Sequence, residues 1–140
     1  MDSGKIRYAI LDLPLSMHRS AFKAAVASHC AGEQGKFWEM HQSMLSDQNT
    51  LDDLNIYAKP LGLDLARFDS CLKSNKYAEE VRNGMAIAKT LGVTGTPSFV
   101  LALTDDKAPS KVKGISLIRG AQGYESFKQE IDKALAGIKK

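Results

Sequence analysis

The sequence predicts an α/β fold, and three observations carry that prediction. A run of apolar residues from Lys5 to Leu13 reads as a strand near the start. Apolar residues at three- and four-residue steps then fill the middle of the chain, from about Arg19 to Leu91. Two further strand patterns, Ser98–Leu103 and Lys111–Ile118, precede a last amphipathic helix. The order is strand, a series of helices, strand, strand, helix.

Size and composition are consistent with one domain over residues 1–140, since 44% hydrophobic residues suffice for a core. A net charge of +3, with acids and bases interspersed, gives no support to a nucleic-acid surface. No apolar run approaches the length of a membrane span. Met1–Lys5 has no apolar core of the kind a signal peptide carries. Two cysteines by themselves leave the redox compartment open.

In the first strand Ile6, Tyr8 and Ile10 share one face, while Ala9, Leu11 and Leu13 make the other apolar too. Burial on both faces suits an inner strand of a mixed or parallel sheet. Pro14 closes it. A helix from about Arg19 to Ala31 follows, with Phe22, Ala25, Val26, His29 and Cys30 at helical spacing. Gly32 and Gly35 end it at a corner, and the next helix, Phe37 to about Leu45, aligns Phe37, Met40, His41 and Met44. A methionine and aromatic stripe of this kind reads as core, with Trp38 filling the helix junction.

Thr50 and Asp53 resemble a capping box for a helix bearing Leu51, Leu54 and Ala58, which must end or kink at Pro60. Asp64 reads as the N-cap of a short helix carrying Leu65, Phe68, Cys71 and Leu72. A longer helix places Tyr77, Val81, Met85, Ala88 and Leu91 on one face. Gly84 in its interior costs roughly 1 kcal/mol relative to alanine and points to a close approach there. Ser98–Leu103 reads as a buried strand, Thr104–Ser110 as an exposed turn too long for a two-residue hairpin, and Lys111–Ile118 as a more polar edge strand. Phe127, Ile131, Leu135 and Ile138 form the stripe of the C-terminal helix.

Chemistry-bearing motifs are few. The sequence contains no C-x-x-C, no G-x-S-x-G and no phosphate-binding glycine loop. His18, His29 and His41 match no zinc-ligand spacing, so no metal is expected; His18 reads as a brace for its loop. Cys30 lies near a helix C-terminus, where the dipole disfavours a thiolate, and Cys71 lies on an apolar helix stripe. Neither suits a redox nucleophile. They read either as separate core cysteines or as a bridge between two helices. Thr96-Pro97, at a strand entrance, reads by itself as a turn with a trans proline.

The segments Asp12–His18, Ala31–His41, Gly92–Phe99 and Arg119–Gln122, in this order, resemble DsbA-like disulfide oxidoreductases of the thioredoxin superfamily. The resemblance covers nearly the whole chain. It implies a thioredoxin-like fold with a helical insertion over about 19–91 and without the first βα unit. The family's first strand and C-x-x-C are then expected N-terminal to Met1. Gly95-Thr96-Pro97 becomes the cis-proline loop, in which Thr96 and Pro97 hold the backbone of an extended thiol- or disulfide-bearing polypeptide. Some relatives carry a second cysteine pair, which favours a structural Cys30–Cys71 disulfide. Many carry a basic residue where this chain has Leu11.

The implied function is disulfide exchange in exported proteins, in the periplasm or another extracytoplasmic space, with no cofactor and with an unidentified redox partner. This chain, holding no catalytic residue of its own, is expected to be inactive. The alternative is a non-catalytic module that binds peptides or a partner chain. Loss of an inner strand further predicts a homodimer or a strand-swapped oligomer.

Overall fold

A computed structural model describes residues 6–105 and 108–137, with the side chains of residues 105 and 108–111 left out. The chain falls into two compact units, one ending at Gly92 and one beginning at Val93.

The first unit is helical: α1 (Ala21–Gly32), α2 (Phe37–Ser46), α3 (Asn55–Ala58), α4 (Leu65–Ser74) and α5 (Ala78–Thr90). Its core takes Val26, Ala27, Cys30 and Ala31 from α1, and Met40 and Met44 from α2. Leu54, Tyr57, Ala58, Leu63, Phe68, Cys71 and Val81 complete it from the rest of the unit. Small residues on α1 let its neighbours come close, and Ala27 and Ala31 are wholly covered. Gly35, at φ +73°, turns the chain from α1 into α2. The Asp64 carboxylate accepts a hydrogen bond from the Arg67 amide at 3.1 Å, the N-cap expected for α4.

The second unit pairs β1 (Ser98–Asp105) with β2 (Ala108–Arg119) as an antiparallel ladder, with α6 (Tyr124–Ala136) alongside. Register runs from Ser98↔Arg119 to Asp105↔Ala108, with irregularities at Leu101/Ala102 and Thr104/Asp105. Phe99 of β1 meets Phe127 of α6 edge to face, ring centroids 4.8 Å apart. Ser116 of β2 donates to Glu130 of α6 at 3.1 Å.

Five expectations need correction. Residues 6–13 are not a strand, because a strand exists only within a ladder and no described segment pairs with them. Thr50 does not cap a helix: its hydroxyl is hydrogen-bonded to Tyr57 Oη at 2.7 Å, and the helix that follows is only Asn55–Ala58. The hairpin is tight rather than long, since β1 and β2 pair as far as Asp105 and Ala108. None of Ser98–Thr104 is fully buried, because the sheet has two strands among the described residues. Trp38 does not fill the helix junction: it is half exposed, its ring against Tyr8 and against Phe37 and His41 of its own helix. Met1–Lys5, Asp106, Lys107 and Ile138 lie outside the described residues.

Candidate functional site

In the second unit the chain enters β1 through Gly95-Thr96-Pro97, and the Thr96–Pro97 peptide bond is cis. Two hydrogen bonds fix this entrance. Ser98 Oγ donates to the Gly95 carbonyl at 2.7 Å, and the Gly120 amide donates to the Pro97 carbonyl at 2.9 Å. Gly120 sits at φ +78°, a conformation that suits glycine and turns its N–H toward the loop. Gln122 braces the same corner, its side-chain amide donating to the Arg119 carbonyl at 3.0 Å and its backbone amide to the Gly120 carbonyl at 3.1 Å.

Thr96 is left exposed between these two ties. Neither its N–H nor its C=O has a partner among the described residues. An exposed peptide unit at the head of a strand can accept one more strand by main-chain hydrogen bonding. Sequence reasoning singled out Thr96, Pro97 and the Arg119–Gln122 segment. It missed Ser98, for which the only local signal was a hydroxyl within reach of a backbone carbonyl three residues earlier.

In the first unit, Cys30 of α1 and Cys71 of α4 form a disulfide, S–S 2.04 Å and Cα–Cα 5.8 Å. Both are buried, Cys30 at 1% exposure and Cys71 at 8%. Neither sulfur is free. Beside them Glu33 Oε1 accepts from Lys76 Nζ at 2.7 Å and from Tyr77 Oη at 3.0 Å. The Lys76 and then the Tyr77 hydrogen bonds hold the Glu33 carboxyl below its ordinary value. Burial, then Glu33, pushes the Tyr77 phenol up.

The three histidines stand apart in role. His29 Nε2 meets Asp12 Oδ2 at 2.7 Å, while Nδ1 lies 3.9 Å from Glu80 and the ring stacks on Tyr77. His41 stacks on Phe37, and burial lowers its pKa against a smaller raising effect of Asp12. His18 contributes backbone turns, its amide donating to Leu15 and its carbonyl accepting from Ala21. Among the described residues no group of His, Cys, Asp and Glu is arranged to hold a metal. No helix among them is long and apolar enough to cross a membrane.

Known proteins match this arrangement. Residues 6–132 fit the model of the DSBA-like thioredoxin domain. The chain is 36% identical over 119 residues to Na(+)/H(+) antiporter NhaA 3 of Salinispora tropica, a match covering 83% of the chain and 18% of the antiporter. With Na(+)/H(+) antiporter NhaA 1 of Salinispora arenicola it shares 42% identity over 101 residues, covering 70% of the chain and 16% of that protein. The chain thus spans less than a fifth of these relatives' length.

The crystal structure of the thiol-disulfide exchange protein alpha-DsbA2 from Wolbachia pipientis superposes with a TM-score of 0.73 at 23% identity. That match covers 95% of this chain and 68% of the other. The likeness shows a mixed α/β, DsbA-like thioredoxin fold, mostly helical here with a two-stranded sheet. With a helical unit joined to the Thr96–Pro97 entrance and a hairpin, and a family model spanning 6–132, the chain belongs to the DSBA-like thioredoxin domain family.

Proposed function

We propose that the chain is the substrate-holding part of a DsbA-like thiol–disulfide oxidoreductase domain acting on exported polypeptides. The observation that carries this reading is the Thr96 peptide unit, exposed and unpaired among the described residues, between two fixed neighbours. An extended thiol- or disulfide-bearing segment adds there as a strand, taking the Thr96 N–H and C=O as its main-chain partners. The exchanging cysteine pair of the family has no counterpart in these 140 residues, so this chain alone holds substrate without turning it over. A disulfide within the helical unit fits an oxidising, periplasmic or other extracytoplasmic setting.

A second reading is favoured by the same disulfide. With Cys30 and Cys71 bonded to each other, the chain is a binding module for peptides or a partner chain without redox chemistry. One experiment covers both. An unfolded, cysteine-bearing polypeptide is titrated into the chain and followed by amide shifts, then the same chain is tested for insulin reduction. Shifts centred on Thr96 and Ser98, with insulin reduction no faster than the thiol background, support peptide holding. Absence of binding at that loop overturns both readings. Turnover abolished by Cys30→Ser or Cys71→Ser overturns the assignment of these cysteines as structural.

A further inference from the structure

Beside the disulfide, the helical unit has an open groove of about 490 Å³ that the peptide-holding loop does not explain. The face of α4 lines it with Arg67, Ser70, Cys71 and Ser74, and Glu33 and Lys76 close its side. Residues 67, 70, 71 and 74 are three and four apart, so they share one side of the helix. Ser70 and Ser74 are small, and Glu33 Oε1 lies 3.8 Å from the sulfur of Cys71.

The two cysteines differ in access. Cys71 lines the groove and is 8% exposed, whereas Cys30 is 1% exposed and belongs to the core on the other side of the bond. Charge in the groove is also uneven. Lys76 is tied to Glu33 at 2.7 Å, while the exposed Arg67 guanidinium has no hydrogen-bond or ion-pair partner among the described residues. Arg67 also acts on Glu33 through space, adding to the pull that holds its carboxyl down, so two cations serve one carboxylate and the groove carries a net positive charge.

We propose that this groove is a thiol-exchange site for small thiols that carry a carboxylate, and that exchange takes place at Cys71. The carboxylate pairs with Arg67 while the thiolate sulfur attacks Cys71 Sγ. A new S–S bond forms between the small thiol and Cys71 as the Cys30–Cys71 bond breaks. The electron pair of that bond leaves on Cys30, which takes a proton from water. No external oxidant or reductant is needed, because one disulfide replaces another. Cys30 is left as a thiol in an apolar core, where a thiolate is poorly solvated. The fold keeps that thiol beside Cys71, Cα atoms 5.8 Å apart, so the mixed disulfide recloses by intramolecular exchange unless it is trapped.

The test uses the oxidised, folded chain with two probes, mercaptoacetate and 2-mercaptoethanol. After brief exposure the reaction is quenched, free thiols are alkylated, and the adducts are mapped. Each rate is divided by the rate of the same thiol on the denatured chain, which removes intrinsic reactivity. The expected result is the small thiol on Cys71 and the alkyl group on Cys30. Mercaptoacetate should gain roughly two- to fivefold over 2-mercaptoethanol, the span expected of an exposed charge pair. Arg67→Ala should bring the normalised rates of the two thiols level; a general slowing of both, from losing the pull of Arg67 on Glu33, cancels in their ratio. An adduct on Cys30, adducts only in denaturant, equal normalised rates for the two thiols, or a gain that survives Arg67→Ala would each overturn the proposal.

Discussion

The main-chain oxygen of Asp12 lies 2.9 Å from the point where a Cβ on Gly84 would stand. The Asp12 amide nitrogen is only 3.2 Å from the same point. The segment before α1 therefore crosses α5 at a place with no room for a side chain. Asp12 is held there from its other side by the 2.7 Å contact with His29.

Gly84→Ala should destabilise the chain, although alanine is the better helix former. Helix propensity returns up to about 1 kcal/mol, while overpacking against backbone costs about 1–3 kcal/mol. The obstacle here is main chain, which cannot rotate away as a side-chain tip does. Urea denaturation should show a net loss of about 1–2 kcal/mol. A variant more stable than the parent would mean that the Asp12 segment does not pack on α5.

Gly84 also shows how far the sequence could be read. A glycine inside an apolar helical stripe signals a close approach, but its partner, 72 positions earlier, carries no local mark. The Asp64 cap was legible because donor and acceptor are three residues apart. Thr50 misled for the opposite reason. Its hydroxyl is engaged by Tyr57 Oη, which itself donates to the Asp47 carbonyl at 2.6 Å, so a looped network replaced the local cap. Residues 6–13 misled because alternation and apolarity report a tendency to be buried, whereas a strand also needs a neighbour. At the loop, Thr96 and Pro97 were legible by resemblance. The Gly120 tie was not, because it depends on where β2 ends, and the Ser98 tie, although local, has no mark beyond a hydroxyl three residues after Gly95.

His41 should make stability depend on pH near neutrality. Burial depresses its folded-state pKa below the ordinary 6.5, so the folded chain favours the neutral ring. Above about 6.5 both states are neutral and the stability is fully present. As the pH falls below 6.5 the unfolded state binds the proton first, and stability is lost until folded His41 protonates as well. His41→Gln should flatten that part of a denaturation-midpoint profile between pH 7 and 5. An unchanged slope would assign it to other groups.

Reduction of Cys30–Cys71 should cost far more than any single surface contact. The bridge spans 41 residues, and on the chain-entropy model closing a loop of that length stabilises by about 4 kcal/mol. Total stabilities are only about 5–15 kcal/mol, so the reduced chain should be marginal. Urea titrations with and without a phosphine reductant give the comparison, and Cys30→Ala/Cys71→Ala supplies a reference that cannot reoxidise. A midpoint unaffected by reduction would mean that the reduced, unfolded chain is already compact.

Residues 6–14 make no main-chain hydrogen bonds among the described residues, and Ile6, Tyr8 and Leu11 stand 37%, 49% and 55% exposed. The β1–β2 hairpin likewise has an outer edge on each strand with no ladder partner among the described residues. Unpaired strand-forming segments with apolar side chains are templates for pairing with another chain. Pairing two such segments satisfies several peptide groups at once and removes apolar surface from water, and both effects favour association. The chain should therefore form a homodimer or a strand-swapped oligomer, its fraction rising with concentration in light scattering at micromolar levels. Ala9→Pro should weaken association, since proline removes one donor from the 6–14 segment and leaves the helical core untouched. A compact, folded monomer at every concentration, unaltered by Ala9→Pro, would show that these edges are satisfied within one chain.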